Sequence, residues 1–353
     1  MSKFMYAYRL TEWGQAPTLQ EIEVPTPAPG QLLVKVAGNG LCQSDLHMPH
    51  LNGAMMEPMG WQVPFTLGHE IGGWVEDWGE GVSGFDKGEA VALVASTSCG
   101  KCLECEAGFD NVCDHNAVNR GAGRDGGLAD YVLVESARPL VKLGDMEPLT
   151  AGPLTDAGST SYHAFNRIRP KLMSGSNALV IGAGGLGSFA IQYLKVLTSC
   201  NVIVADINPQ ILARAKRLGA DACINTRETD LATEVSKLTG GGAIGVLDFV
   251  GTDETVVAGV ACLAKRGSYV LIGGAGGGHS DSLFSALSLK SADIYSFMGP
   301  TLRDTQEVFE LARQGVIENP VELFEFNDND IQDAYLKLAN GELNGRAVVK
   351  VAK

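Results

Sequence analysis

Long apolar runs are missing from this sequence. A helix that crosses a bilayer needs roughly 18 consecutive apolar residues, and the longest candidates, such as SYVLIGGAGGG at 268–278, are short and rich in glycine. No transmembrane span is therefore expected. The opening residues, MSKFMYAYRLTEWGQ, are broken by Arg9, Thr11 and Glu12 and offer neither a continuous apolar core nor a small-residue cleavage site, so they do not read as a signal peptide and a cytoplasmic location is expected. Positive charge is also scarce: 27 Lys and Arg stand against 41 Asp and Glu, a formal net charge of −14. Such a chain repels phosphate backbones and anionic bilayers, which argues against nucleic acid or a membrane as partner. Cysteine is sparse too, with eight in 353 residues. That is not the density of a disulfide-stapled secreted scaffold, and a reducing cytosol disfavours disulfides.

Half of those few cysteines sit together. SCGKCLECEAGFDNVC at 98–113 places Cys99, Cys102, Cys105 and Cys113 in one loop with the spacing C-x2-C-x2-C-x7-C. Four thiolates from one loop can close around a single tetrahedral ion at about 2.3 Å and leave no vacant position, which makes a structural zinc site. An iron-sulfur cluster uses a similar ligand set, and a redox C-x-x-C pair or disulfides also remain open on spacing alone.

The rest of the chain has two textures. At 353 residues and 45% hydrophobic content it can fill more than one core. Over 1–150, short alternating or apolar runs such as QLLVKVAG, IGGWVEDWG, EAVALVA and GLADYVLVE are punctuated by Gly and Pro, the pattern of an antiparallel, barrel-like β domain. The segment 43–66 shows no period and reads as irregular. From about 177, fully apolar strands (NALVIGAG, NVIVADI, DACIN, GVLDFVG, SYVLIGG) alternate with helical stretches at 186–198, 209–218, 230–239 and 254–265, as in a doubly wound parallel sheet covered on both faces. DIYSFMG at 293–299 fits a sixth strand, 302–315 a helix, and GRAVVKV at 345–351 a last strand that returns to the first domain.

VIGAGGLG sets Gly182, Gly184 and Gly187 in a G-x-G-x-x-G pattern, with Gly185 and Leu186 between them. A bare glycine triplet is weak among 44 glycines. Here an apolar strand precedes it, a helix follows, and the next strand ends in Asp206, 19 residues past Gly187. Those glycines allow a tight turn and close backbone approach, the helix N-terminus faces a pyrophosphate, and Asp206 can accept hydrogen bonds from ribose hydroxyls. An acidic group there repels a 2′-phosphate, and INPQ after it has no Arg, so NAD(H) is preferred over NADP(H). A second cluster is visible only as scattered pieces: Cys42 in GLCQSDLH, His69 and Glu70 in TLGHEIGG, and Asp156 in PLTDAG. Each alone has an ordinary structural explanation. Together they make a Cys/His/carboxylate set suited to a catalytic zinc with one open position.

With GLCQSDLH, GHEIGGWVEDWGEGVSGFDKGEAV, the four-cysteine loop, GLADYVLV, PLTDAGSTSYHA, VIGAGGLG and GRAVVKV in that order, the chain resembles the zinc-dependent medium-chain alcohol dehydrogenase family nearly from end to end. The resemblance implies an α/β protein with a GroES-like β-barrel catalytic domain (1–157 and 296–353) and a doubly wound parallel Rossmann coenzyme domain (158–295). It lifts zinc above iron-sulfur for the loop and makes Cys42, His69 and Asp156 the catalytic zinc ligands, giving two zincs per chain. Glu70 is the alternative third ligand, and otherwise Glu70 and Asp45 support the ligands from behind. It also implies a proton relay from Ser44 through the cofactor ribose to His47, whose ordinary pKa of about 6.5 suits exchange with solvent. Arg346 is implied to clasp the coenzyme pyrophosphate, and Val250, Gly273 and Gly274 to lie near the nicotinamide. Where relatives carry a basic residue after Asp206, this chain has Ile211.

The expected reaction is hydride transfer between NAD(H) and an alcohol/ketone or aldehyde pair, by a homo-oligomer, tetramer favoured over dimer. Met48, Met55, Met56, Met59, Trp61 and Phe65 suit an adaptable apolar pocket and equally a loop packed by its own side chains. The first favours secondary alcohols. A polyol or amino-alcohol dehydrogenase of the same fold, and an NAD(H)-binding zinc sensor or structural subunit without catalysis, are the competing functions.

Overall fold

Alternating and apolar runs in the N-terminal texture pair as antiparallel strands in a computed structural model, which describes residues 3–115, 118–274 and 290–352. Residues 275–278 of the glycine-rich run lie outside that set. Leu32–Gly40 is the centre of a seven-stranded sheet. One edge of this strand pairs with Glu70–Trp78, which in turn pairs with Ala90–Leu93. Its other edge takes Tyr131–Val134 along the first half and Arg346–Lys350 along the second, with Gly40 opposite Val348. A second, three-stranded sheet joins Thr18–Glu23, Phe4–Leu10 and Phe65–Thr66. Leu32, Val34, Val36, Ile71, Val75, Val91 and Val349 are fully buried between them. The helix Asp328–Asn340 closes this core with Ile331 and Ala334.

Residues 43–66, expected to be irregular, form a chain of single helical turns at Gln43–Leu46, Met48–His50, Gly53–Met56 and Glu57–Met59. Two prolines, Pro49 and Pro58, begin such turns without extending them, because proline suits the first turn and donates no hydrogen bond.

The second texture builds a six-stranded, all-parallel sheet. Its strand order runs Ala222–Asn225, Asn201–Asp206, Asn177–Ile181, Ala243–Asp248, Leu263–Leu271, Asp293–Tyr295. Helices Gly185–Leu197, Pro209–Arg217, Leu231–Thr239 and Asp253–Ala261 connect the strands. The last of these ends earlier than the expected 265, since Leu263 already pairs with Ala243 in the sheet. The sharp order reversal beside Asn177–Ile181 places the Gly182 turn at the switch point, where doubly wound sheets bind ligands.

The chain divides into two units, one of Met1–Ser159, Gly299–Gln314 and Asn319–Lys353, the other of Thr160–Met298 and Gly315–Glu318. Among the described residues no helix is long and apolar enough to cross a membrane.

Candidate active site and coenzyme cradle

Three stretches of the first unit bring the scattered Cys/His/carboxylate set together. Cys42 follows the central strand Leu32–Gly40 and caps the short turn Gln43–Leu46. His69 precedes the strand Glu70–Trp78, which pairs with that same central strand so that Gly40 faces Glu70. Asp156 lies in a π-helical turn, Leu154–Gly158, closed by Ser159 Oγ donating to Leu154 O at 2.6 Å. This turn reaches the strand because Gly152 has no side chain: a Cβ there would stand 2.1 Å from Glu70 O. Ligand atoms of Cys42, His69, Glu70 and Asp156 converge within 4.8 Å of one another.

The imidazole of His69 is held on both sides. Asp45 Oδ1 stands 3.1 Å from Nδ1, and Asp156 Oδ2 stands 3.6 Å from Nε2. Burial alone would lower the His69 pKa, but the two carboxylates outweigh it and raise it well above its ordinary value. Asp156 is opposed by burial yet drawn below the usual carboxylate range by the His69 hydrogen bond and charge. Asp45 is 2% exposed, and its Oδ2 accepts from Cys42 N at 3.0 Å and from the Tyr335 hydroxyl at 3.1 Å. Tyr335 carries no sequence signal for this role.

Glu70 is wholly buried, and burial pushes its carboxyl pKa upward while the charge of Arg346 opposes it. Arg346 pairs with Glu70 Oε1 and donates to Leu41 O at 2.9 Å. The arginine that the resemblance assigned to a pyrophosphate thus belongs to the first unit and is engaged at the back of the metal-ligand cluster. Glu70 Oε2 is buried with no hydrogen-bond partner among the described residues. Carboxylates of Asp45, Glu70 and Asp156 and the Cys42 thiol therefore crowd around one guanidinium and one imidazole. Such a donor set, with an orphaned carboxylate oxygen, fits a borderline-soft divalent cation such as zinc.

Ser44 is half-buried and His47 exposed. The His47 N–H donates to Ser44 O at 3.0 Å, and residues three apart in a 3₁₀ turn lie above one another. Of the apolar candidates, Met48 is packed in the β core, Met55 and Met59 are exposed, and Trp61 meets Phe65 edge to face at 6.2 Å.

In the cysteine loop, Cys99 and Cys105 sulfurs lie 4.0 Å apart and Cys102 and Cys113 sulfurs 3.8 Å apart. A tetrahedron with bonds of about 2.3 Å has edges of about 3.8 Å, so these two pairs stand near zinc spacing, and all four sulfurs lie within 4.8 Å of one another. Backbone N–H groups point at them: Lys101 N at 3.4 Å from Cys99 Sγ, Cys99 N at 3.3 Å from Cys113 Sγ. Backbone donors lower the Cys99 pKa and bring that of Cys102 to about 6, while burial pushes Cys105 up to about 12.

The second unit carries the glycine motif between Asn177–Ile181 and the helix that Gly185 opens. Gly182 has φ +80°, and a Cβ on Gly187 would lie 2.0 Å from Gly182 O. A Cβ on Gly184, the N-cap, would meet nothing within 4 Å among the described residues. That leaves a cradle at a helix N-terminus, which fits a dinucleotide phosphate. Leu186 O accepts from Ser161 Oγ at 2.8 Å. Asp206 Oδ2 accepts from Ala183 N at 2.9 Å and Oδ1 from Asn208 N at 2.9 Å. Arg214, which carries no local sequence signal, is buried and donates to Ala183 O at 2.9 Å. The loop residue Ala183 is therefore pinned at both its N–H and its C=O. Val250 lies against Gly182, and Gly273 lies against Val250, each just past the end of its strand, with Gly274 exposed beside them.

Both parts of the chain have known relatives. Residues 28–145 match the family model described as alcohol dehydrogenase GroES-like domain, and 185–314 that described as zinc-binding dehydrogenase. An NAD-dependent alcohol dehydrogenase of Sulfurisphaera tokodaii is 38% identical over 76% of this chain and 78% of its own length. Another, from Sulfolobus acidocaldarius, is 34% identical over 98% of this chain and 100% of its own. The crystal structure of the alcohol dehydrogenase of Aeropyrum pernix superposes with a TM-score of 0.90 at 32% identity, covering 98% of this chain and 99% of that one. With a barrel carrying a Cys/His/carboxylate cluster, a doubly wound sheet carrying a glycine cradle, and both family models matched, the chain belongs to the zinc-dependent medium-chain alcohol dehydrogenase family.

Proposed function

We propose that this chain is an NAD(H)-dependent zinc alcohol dehydrogenase that interconverts secondary alcohols and ketones. The observation that carries the reading is the convergence of Cys42, His69 and Asp156 in one partly buried site. Asp156 is favoured over Glu70 as third ligand, because Arg346 already engages Glu70 Oε1. When bound, zinc supplies Lewis acidity that lowers the pKa of an alcohol oxygen, and NAD⁺ supplies the acceptor for hydride.

The chain's own residues do the rest. Asp45 fixes the ring of His69 with Nε2 directed at the cluster, as carboxylates behind metal-bound histidines commonly do. Arg346 keeps the charge of Glu70 compensated. Ser44, half-buried two residues beyond Cys42, accepts the substrate proton as it releases its own hydroxyl proton toward exposed His47 on the same turn, which exchanges it with water. Gly184 and the helix behind it receive the coenzyme pyrophosphate, with Arg346 as a further candidate contact, and Asp206 faces the adenosine ribose. Val250, Gly273 and Gly274 border the nicotinamide. Cys99, Cys102, Cys105 and Cys113 hold a second, structural zinc. Catalytic and coenzyme domains are assigned to 1–157 with 296–353 and to 158–295, and a cytoplasmic homo-tetramer completes the reading.

The test is zinc per chain together with initial rates on 2-alkanols, primary alcohols and vicinal diols, followed at the NADH absorbance. Two zincs and a preference for 2-alkanols are expected. Faster turnover of diols moves the enzyme to the polyol class, and nucleotide binding without turnover of any alcohol makes it a sensor.

A further inference from the structure

We propose that Tyr335 is a positioning residue for the catalytic metal site, acting through Asp45 on Cys42 and His69 together. The inference rests on the reading that Cys42, His69 and Asp156 hold zinc. Asp45 touches two of those three residues at once: Oδ2 accepts from the backbone N–H of Cys42 at 3.0 Å, and Oδ1 lies 3.1 Å from His69 Nδ1. The orientation of one carboxylate plane therefore sets both the start of the Cys42 turn and the rotation of the His69 ring. A carboxylate this deeply buried needs donors on its lone pairs. Tyr335 supplies one, its hydroxyl donating to Oδ2 at 3.1 Å from 290 residues away in sequence.

That hydroxyl comes from a firmly seated element. Tyr335 is 8% exposed on the helix Asp328–Asn340, whose neighbours on the same face, Ile331 and Ala334, are fully buried. Asn327 caps the helix by accepting from Asp330 N at 3.0 Å, and Asp328 Oδ1 accepts from Leu19 N at 2.9 Å. A donor on a rigid helix holds its acceptor more tightly than one on a loop. Removing the hydroxyl while keeping the ring leaves Asp45 Oδ2 one hydrogen bond short and lets the carboxylate turn away from the His69 ring. Partners standing behind metal ligands are commonly worth about 10- to 100-fold in metal affinity.

The experiment uses the full-length protein loaded with zinc. Release into excess colorimetric chelator is followed for wild type, Tyr335→Phe, Asp45→Asn and the double variant, and the visible spectrum is recorded after Co²⁺ replaces the catalytic-site ion. Tyr335→Phe is expected to release the catalytic zinc about tenfold faster, to shift the cobalt bands, and to leave release from the four-cysteine site unchanged. The double variant is expected to be no worse than Asp45→Asn, because Tyr335 acts through that carboxylate. Release of the catalytic zinc within about twofold of wild type with unshifted bands, additive losses in the double variant, or equal acceleration at both sites would each overturn the inference. A wild type holding only the four-cysteine zinc would instead overturn the proposed function, and this inference with it.

Discussion

Glu70 and Arg346 form an ion pair almost sealed from water, at 0% and 4% exposure. Removing one partner of such a pair costs more than the pair itself contributes, because the survivor is left as an uncompensated buried charge. Arg346→Leu is therefore expected to destabilise the protein by about 3–5 kcal/mol, read from urea unfolding at pH 7. Replacing both, as Glu70→Gln with Arg346→Met, is expected to recover at least half of that loss. A single variant within about 1 kcal/mol of wild type would show that water reaches Glu70.

The zinc assignment of the cysteine loop gives a separate outcome. Cys105 is buried and its sulfur stands 4.0 Å from that of Cys99, so Cys105→Ser removes one ligand without opening a large cavity. Metal that binds only the folded loop adds its binding energy to folding. Total zinc is expected to fall by one per chain, with the catalytic-site ion kept. A drop in Tm of about 5 °C or more should accompany it, since each kcal/mol is worth about 2–4 °C in units of this size. Unchanged zinc content would remove the structural-site assignment.

What the sequence made readable was mostly local. The cysteine loop and the glycine turn each lie within about fifteen residues, so spacing alone carries their geometry. Alternating and apolar runs likewise mark strands of the antiparallel and of the parallel sheets, since each pattern is set within a single strand. Cys42, His69 and Asp156 are separated by 27 and then 87 residues, and only the order of motifs shared with a known family suggested their meeting. Tyr335, Arg214 and the engagement of Arg346 by Glu70 were not legible. Their roles come from tertiary packing, and a tyrosine in an amphipathic helix looks the same whether its hydroxyl meets solvent or a buried carboxylate. The helix expected to reach 265 stopped at Ala261 because sheet pairing at Leu263 overrode a local helical pattern.

Two glycines of the coenzyme turn should separate folding from binding. A Cβ on Gly187 would stand 2.0 Å from Gly182 O, whereas one on Gly184 meets no atom of the described residues within 4 Å. Gly184→Ala is expected to keep the wild-type Tm while weakening NADH binding at least about tenfold, because the methyl occupies the space a phosphate needs. Gly187→Ala should lower both Tm and NADH affinity. NADH titration by fluorescence beside thermal melts checks the pair, and full NADH affinity in Gly184→Ala would remove the cradle from the phosphate site.

Asp206 tests coenzyme choice. Its carboxylate holds Ala183 N and Asn208 N and leaves lone pairs for ribose hydroxyls. Asp206→Asn keeps an acceptor for the loop but removes the charge that repels a 2′-phosphate. The KM ratio of NADP⁺ to NAD⁺ is expected to fall about tenfold or more, chiefly through weaker NAD⁺ binding. An unaltered ratio would mean that discrimination lies elsewhere.

The Arg120 and Glu135 pair carries the pH prediction. Arg120 is fully buried, donating to Leu133 O at 2.7 Å and to Glu135 Oε2 at 2.7 Å, while Arg124 meets Glu135 Oε1 at 2.8 Å. Burial would raise the Glu135 pKa, but the two guanidinium groups outweigh it and hold the carboxyl below its ordinary 4.5. The unfolded chain therefore binds more protons near that pH than the folded one, and stability gained from this carboxylate is present above about pH 4.5 and lost as pH falls through the lower, folded pKa. Glu135→Gln forfeits that gain. At pH 7 the variant is expected to unfold at lower urea than wild type, because Arg120 loses its charged acceptor. At pH 3.5 the gap between the two midpoints should shrink as the wild-type carboxylate begins to protonate. A gap equal at both pH values would show that the charge of Glu135 contributes nothing, and that the side chain acts only by filling space beside Arg120.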